Sequence, residues 1–264
     1  MPEGPEVKIA SSYYNQFFEK TSHIKFEILT EYYEKKYTHV FDHVNHHINE
    51  EFSPLFTIGK NLFLPLKNDD FFNFHLGMTG CWSNSLEKHC HFRVFSGTKE
   101  LFFKDVRKFG KMKILSSIDF SEKHHKEYDL LHQDYNFDEH IQYLFKTVGQ
   151  KQSISSVIMN QSFFPGVGNY IKSEALYSSR IHPEKKWKTL SKKKIKTLVI
   201  NTQKIMKKSY INGGAELKDF KNPMTNSTFT LQVYGKLIDP FGNQVVSAIT
   251  SDQRKSWFCP KLQK

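Results

Sequence analysis

Stretches of helical and strand-like hydrophobic period alternate along the chain. Directly after Pro5, the segment EVKIASSYYNQFFEK repeats apolar residues at Val7, Ala10, Tyr14 and Phe17/Phe18, the spacing of one helical face. Pro5 suits a first helical turn, where its missing N–H would have no partner anyway. The pattern predicts a helix from about Pro5 to Lys20. From about His23 to Lys113 the apolar runs shorten to IKFEIL, NLFLPL, FFNFHL, HCHFRVF and ELFFKD, broken by turn formers such as Ser96–Thr98. This predicts mostly antiparallel strands in a two-layer sandwich. The polar stretch between Ser116 and Glu139 reads as a linker. Helical spacing returns in DEHIQYLFKTV, with Asp138 as its cap, then in SISSVIMNQ, NYIKSEALYSSR and a basic helix from Leu190 to Tyr210 that Asn212–Gly214 stops. The last stretch, from Phe229 to Phe258, alternates again around a DPFGN turn and reads as a hairpin. The order of elements makes this an α+β chain with no internal repeat.

Charge narrows the partners. Lys and Arg number 38 against 27 Asp and Glu, a net charge of +11, the footprint of a protein that meets polyanions. With 24 Phe the chain can build a substantial core, which excludes a disordered basic tail. No apolar run reaches the length of about 18 residues that spans a bilayer. The acidic start lacks the features of an export signal, and Cys81, Cys90 and Cys259 form no even disulfide framework. The expectation is an intracellular, reduced setting. SKKKIK (Ser191 to Lys196) reads as a solvated helix face able to meet phosphate rather than as an import signal.

Several short segments carry chemistry. In PGVGNYIKSEAL, Gly166 and Gly168 let the backbone approach another group closely, and Asn169 opens a helix whose N–H groups could seat a phosphate. HLGMTG (His75 to Gly80) and DVRKFG (Asp105 to Gly110) each set long side chains beside a glycine at a strand end. Met78, Arg107 and Phe109 have the shapes that wedge into a base stack. Lys60 follows Gly59 at a strand start, and Arg254 sits in a tight turn of the last hairpin, where it can reach a groove or phosphate. His89 to Phe92 (HCHF) reads as strand chemistry rather than as metal ligands. Taken singly, each segment also has an ordinary packing or solvation role.

Their joint occurrence and order change that. MPEGPEV, GKNL, HLGMTG, DVRKFG, PGVGNYIKSEAL and QRKSWFCPKLQ, from residue 2 to the end, together resemble the formamidopyrimidine–endonuclease VIII family of DNA glycosylase/AP lyases. The resemblance implies a catalytic sandwich domain over 1–130, a helix-two-turn-helix domain over 131–225 and a β-hairpin over 226–264. It implies removal of Met1, so that the Pro2 nitrogen becomes the nucleophile, with Glu3 as general acid and Glu6 orienting the amine or relaying protons. Met78, Arg107 and Phe109 would fill the void left by a base rotated out of duplex DNA, and Lys60, His75, Asn169 and Arg254 would hold phosphates around the lesion. Lys60 would also belong to the catalytic set. The implied partner is double-stranded DNA with oxidised bases or abasic sites, bound by a monomer without a cofactor; single-stranded DNA stays open as a second form. A salt-sensitive affinity follows from so many backbone contacts.

One departure from the family pattern is plain. Bacterial members close the hairpin with four cysteines around zinc, whereas this chain has Cys259 alone, Leu262 at the next ligand position, and KLIDPFGNQVV in place of the other pair. One thiolate cannot hold a tetrahedral zinc. The sequence therefore predicts a zincless hairpin held by strands and by Phe229, Val233, Trp257 and Phe258. The preferred lesion stays open, and base-pocket residues are expected between Lys207 and Asn226. A catalytically idle DNA-binding protein of the same fold is the alternative reading, and Pro2, Glu3 and Glu6 argue against it. A terminal proline acting as a base on a small molecule fits neither the charge nor the GVGN helix start.

Overall fold

A computed structural model describes residues 1–216, 222 and 226–264. Much of the loop expected to carry base-pocket residues lies outside them. The described chain forms two compact units, the first built on Glu6–His125 and the second on Glu3–Pro5, Lys126–Ala215 and Thr228–Lys264.

The first unit is the expected sandwich. Helix α1 (Gly4–Phe18) is followed by strand β1 (Lys25–Ile28), helix α2 (Glu31–His47) and strands β2 (Phe56–Ile58), β3 (Asn61–Pro65), β4 (Phe71–His75), β5 (Cys81–Ser83), β6 (Cys90–Ser96), β7 (Lys99–Lys104) and β8 (Lys111–Leu115). Two four-stranded antiparallel sheets result, in the orders β1-β6-β7-β5 and β2-β3-β4-β8. Phe92, Val94, Leu101 and Phe103 of one sheet pack with Leu62, Leu64, Phe72 and Phe74 of the other, and Tyr14 and Phe18 of α1 join the same core.

Helix α2 is an element the reading of 23–113 as mostly antiparallel strands did not single out. Its buried residues Tyr33, Tyr37, Val40, Phe41 and Val44 fall on one helical face. Aromatic and β-branched residues favour strands on a local scale, and here packing of that face against the core overrides the preference. A second helix, α3 (Ser117–Lys123), occupies part of the expected linker and is capped by Ser116, whose hydroxyl accepts from the Asp119 N–H.

The second unit contains α4 (Phe137–Thr147), α5 (Ile154–Met159), α6 (Asn169–Ser178), α7 (Lys192–Ile211), β9 (Val246–Ile249) and β10 (Lys255–Phe258). The cap of α4 is Asn136 rather than Asp138: its side chain accepts from the Asp138 and Glu139 N–H groups. Gly213 and Gly214, at φ 86° and 84°, end α7 as expected. The DPFGN turn closes only an isolated bridge between Ile238 and Gln244, while the paired strands β9 and β10 flank residues 250–254. Val233 and Trp257 pack with Tyr177, Val245, Leu262 and Cys259. Phe258 meets His182 with ring centroids 4.7 Å apart, and Phe229 meets Tyr170 at 6.1 Å. These contacts hold the hairpin to its own unit. Strand β6 begins at Cys90, and His91 stacks on Tyr33 at 4.4 Å while its Nε2 meets the Asp105 carbonyl at 3.0 Å, so HCHF is strand and core chemistry.

Candidate active site

Three backbone N–H groups converge on the Glu3 carboxylate within the second unit. Gly168 N donates to Oε2 at 2.7 Å, Tyr170 N to Oε1 at 2.9 Å and Ile171 N to Oε2 at 3.3 Å. These are the orphan donors of the first turn of α6, where the helix dipole also favours negative charge. The helix start expected to seat a phosphate is therefore filled by a carboxylate of the same chain. The glycines are explained by that approach. A Cβ on Gly168 would lie 2.3 Å from Glu3 Cδ, and one on Gly4 would lie 3.1 Å from Gly166 Cα. Gly166, at φ 85°, accepts at its carbonyl from Gly4 N at 2.8 Å. Residues 3 and 4 are thus fixed to the GVGN turn. Pro2 and Glu6 are both buried, Glu6 at 0% exposure.

In the first unit, the HLGMTG and DVRKFG segments interlock through Gly77 and Asp105. Gly77 has φ 65°, and a Cβ there would lie 2.5 Å from the Phe109 carbonyl carbon. The buried Asp105 carboxylate accepts from Gly110 N at 2.7 Å and from the Thr79 hydroxyl, and that hydroxyl in turn accepts from Arg107 N at 3.0 Å. Asp105 is the organising residue that the sequence reading missed; its position inside DVRKFG was the available signal. Phe109 remains half exposed, Arg107 lies 5.0 Å over its ring, and Met78 is partly exposed. Core packing is thereby excluded as the role of Phe109. Lys60 is 8% exposed and follows Gly59, whose φ is 60°. His75 Nδ1 accepts from Gly77 N at 2.9 Å, which leaves the proton on Nε2. Burial, then the positive charges of Lys60 and Lys111, push its pKa down to about 4. It offers a neutral N–H donor at physiological pH.

The hairpin tip carries Arg254, which is exposed. Asn169 Nδ2 donates to the Lys255 carbonyl at 2.9 Å, so the expected phosphate ligand also fastens β10 to the start of α6. The tip is anchored further by a pair absent from the sequence reading: Lys172 Nζ meets Asp252 Oδ2 at 2.5 Å, with side chains 0% and 4% exposed. Glu184 accepts from Ser251 N at 2.6 Å. At the base, Glu174 accepts from the backbone N–H groups of Gln232, Val233 and Tyr234, each at 2.9 Å. The DPFGN loop closes around Asp239, which accepts from Phe241 N, Asn243 N and the Tyr177 hydroxyl. Burial alone would raise its pKa, but these donors and the Asn243 amide hold it at about 2. Cys259 is fully buried in the apolar cluster. Among the described residues no group of three or more side chains is arranged to hold a metal ion.

The geometry has counterparts in known proteins. Residues 1–112 match the formamidopyrimidine-DNA glycosylase N-terminal domain, and residues 128–221 match the formamidopyrimidine-DNA glycosylase H2TH domain. A formamidopyrimidine-DNA glycosylase of Histophilus somni is 32% identical over 203 residues, covering 72% of this chain and 74% of that protein. Another from Prochlorococcus marinus is 33% identical over 225 residues, covering 78% and 76%. A Lactococcus lactis Fpg in complex with DNA containing an abasic site superposes with a TM-score of 0.82 at 23% identity, over 99% of each chain. MutM (Fpg) of Thermus thermophilus superposes at 0.80 and 20% identity, over 99% of this chain and 98% of that one. The structural likenesses establish the fold. The sequence matches, two domains in order and relatives above 30% identity across about three quarters of their length, place the chain in the formamidopyrimidine-DNA glycosylase family.

Proposed function

We propose that this chain is a bifunctional DNA glycosylase/AP lyase that removes oxidised bases from double-stranded DNA inside the cell. The observation that carries the reading is the seat of Glu3, which ties the residue after Pro2 to three N–H groups. Once Met1 is removed, the Pro2 nitrogen is a free secondary amine. An α-amine has an ordinary pKa of about 7.7–8.0, so a usable fraction is neutral at physiological pH. The nitrogen attacks C1′ of the sugar, and the damaged base departs with the electron pair of the glycosidic bond and takes up a proton. Ring opening leaves an iminium that has no N–H to lose, so it stays an electron sink. Loss of a C2′ proton then expels the 3′ phosphate, a second elimination expels the 5′ phosphate, and hydrolysis of the iminium frees Pro2.

The three N–H donors fix where the Glu3 carboxyl stands. Glu3 acts as the general acid that protonates the sugar ring oxygen as the ring opens. Glu6 orients the amine. Met78, Arg107 and Phe109 occupy the space of the displaced base, and Lys60, His75, Asn169 and Arg254 contact phosphate. Relatives named for formamidopyrimidine-DNA support damaged duplex as the substrate, as do fold neighbours bound to DNA with an abasic site or carbocyclic 8-oxo-G.

Borohydride trapping on duplexes with an oxidised or abasic site tests this. The processed chain should form a covalent adduct, Pro2→Gly should trap far more slowly, and Glu3→Gln should lose on the order of a hundredfold or more in rate. Full-rate trapping by Pro2→Gly would overturn the assignment of the nucleophile. No adduct from any duplex would favour the idle DNA-binding reading.

A further inference from the structure

The outer face of the β2-β3-β4-β8 sheet changes character along its length. At one end Phe63, Phe71 and Leu115 pack with Phe56 and with Phe120 of α3, and the Phe71 and Phe120 rings stack at 4.2 Å. At the other end the same face turns polar and basic. In register, Asn61 pairs with His75, His75 with Lys111, and Asn73 with Lys113. Alternate strand residues share a face. The intervening Leu62, Phe74 and Met112 enter the core, so Asn61, Asn73, His75, Lys111 and Lys113 stand together on the opposite side. Helix α2 walls the space with Tyr37 and Lys36, whose Nζ sits 5.0 Å over the Tyr37 ring. The result is a cleft of about 430 Å³ whose lining includes three lysines and no acid.

The three lysines are exposed, and with no carboxylate in the lining they leave the cleft electropositive toward solvent. Lys113 has the field of Asp119 nearby, but that carboxylate is already bonded to Lys123. The cleft presents cations from β8 and α2 and neutral donors from β3 and β4. That combination matches a phosphodiester: cations answer its charge, and amide and imidazole N–H groups reach its oxygens. His75 belongs both to this cleft and to the proposed phosphate-holding set, so the cleft continues that set.

We infer that this cleft seats a phosphodiester of the DNA strand flanking the lesion, held by Lys36, Lys111 and Lys113 with Asn61 and His75 as neutral donors. The inference rests on the DNA-repair reading, and it adds a contact that lies away from the reacting sugar.

A methylphosphonate scan tests it. Duplexes carrying one non-cleavable abasic analogue to fix the register, each with one phosphate made neutral at successive positions, are titrated with the full chain and with Lys111→Gln/Lys113→Gln. At one flanking position the wild type should lose affinity while the double variant loses nothing further. The variant should also show a salt slope shallower by about 0.9, the loss of one phosphate contact. Equal losses at every position in both proteins would overturn the inference. So would a difference confined to binding of inorganic phosphate, which would make this a free-anion site. Lys36→Gln supplies a second variant should the double one fail to fold. Because the scan needs no chemistry, it fails independently of borohydride trapping on the wild type, which reads the enzymatic proposal.

Discussion

Gly168 shows what one missing side chain does here. The space a Cβ would need is taken by the Glu3 carboxylate, at 2.3 Å. Because that carboxylate is clamped by three N–H groups, it cannot swing aside without losing them. Gly168→Ala should therefore cost about 1–3 kcal/mol, the range for overpacking, and should reduce trapping at least as strongly as it reduces stability. Gly149→Ala is the matched control, since a Cβ there meets nothing closer than 3.5 Å. Chemical denaturation beside single-turnover trapping separates the two effects. Wild-type trapping by Gly168→Ala would mean that the Glu3 seat is dispensable. In the sequence, GVGN was legible as a place of close approach. Which group approaches was not, because Glu3 and Gly168 stand 165 positions apart.

Among the elements, the hairpin is the most informative. It is fastened by buried acids rather than by its few strand residues: Glu174 at the base, Asp239 in the first loop and Asp252 at the tip. The Lys172–Asp252 pair sets the tip that presents Arg254. Lys172→Met would leave a buried, uncompensated carboxylate, at an expected cost of about 3–5 kcal/mol. Lys172→Leu with Asp252→Leu should recover most of that loss, because it removes both charges together. Midpoints of urea unfolding check the comparison, and a double variant no more stable than Lys172→Met would show that the pair is not the tie. The sequence made the hairpin visible through alternation but hid its ties through Glu174, Lys172–Asp252 and Tyr177–Asp239, since these join segments far apart in the chain. Helix α2 was hidden for a different reason: its aromatic and β-branched residues carry a local preference for strands.

At the scale of the whole molecule, neutral histidines, one wholly buried and two half-buried, couple stability to pH. Burial is the first cause for His75, His124 and His140, and each pKa is pushed down to about 4. His140 is wholly buried, with Nε2 2.6 Å from the Phe163 carbonyl and Nδ1 3.2 Å from the Tyr135 hydroxyl. In the unfolded chain histidine titrates near about 6.5, so between that pH and about 4 the unfolded state binds more protons than the native one. Stability should be complete above about pH 6.5 and decline steadily toward about pH 4. A thermal midpoint that stays level over that window would contradict the neutral native histidines.

The sequence by itself determined the fold class, the order of its parts, the basic surface and the set of residues to suspect, because periodicity, glycine placement and charge are local properties. The two sheets and α1, α5, α6 and α7 follow directly from those patterns. Tertiary structure decided what the patterns could not carry: that the first turn of α6 holds Glu3, that Asp105 shapes the loop bearing Arg107 and Phe109, and that three lysines share one cleft. Each of these depends on a hydrogen bond, or on register, between residues distant in the chain, and such partners are chosen only when the chain folds.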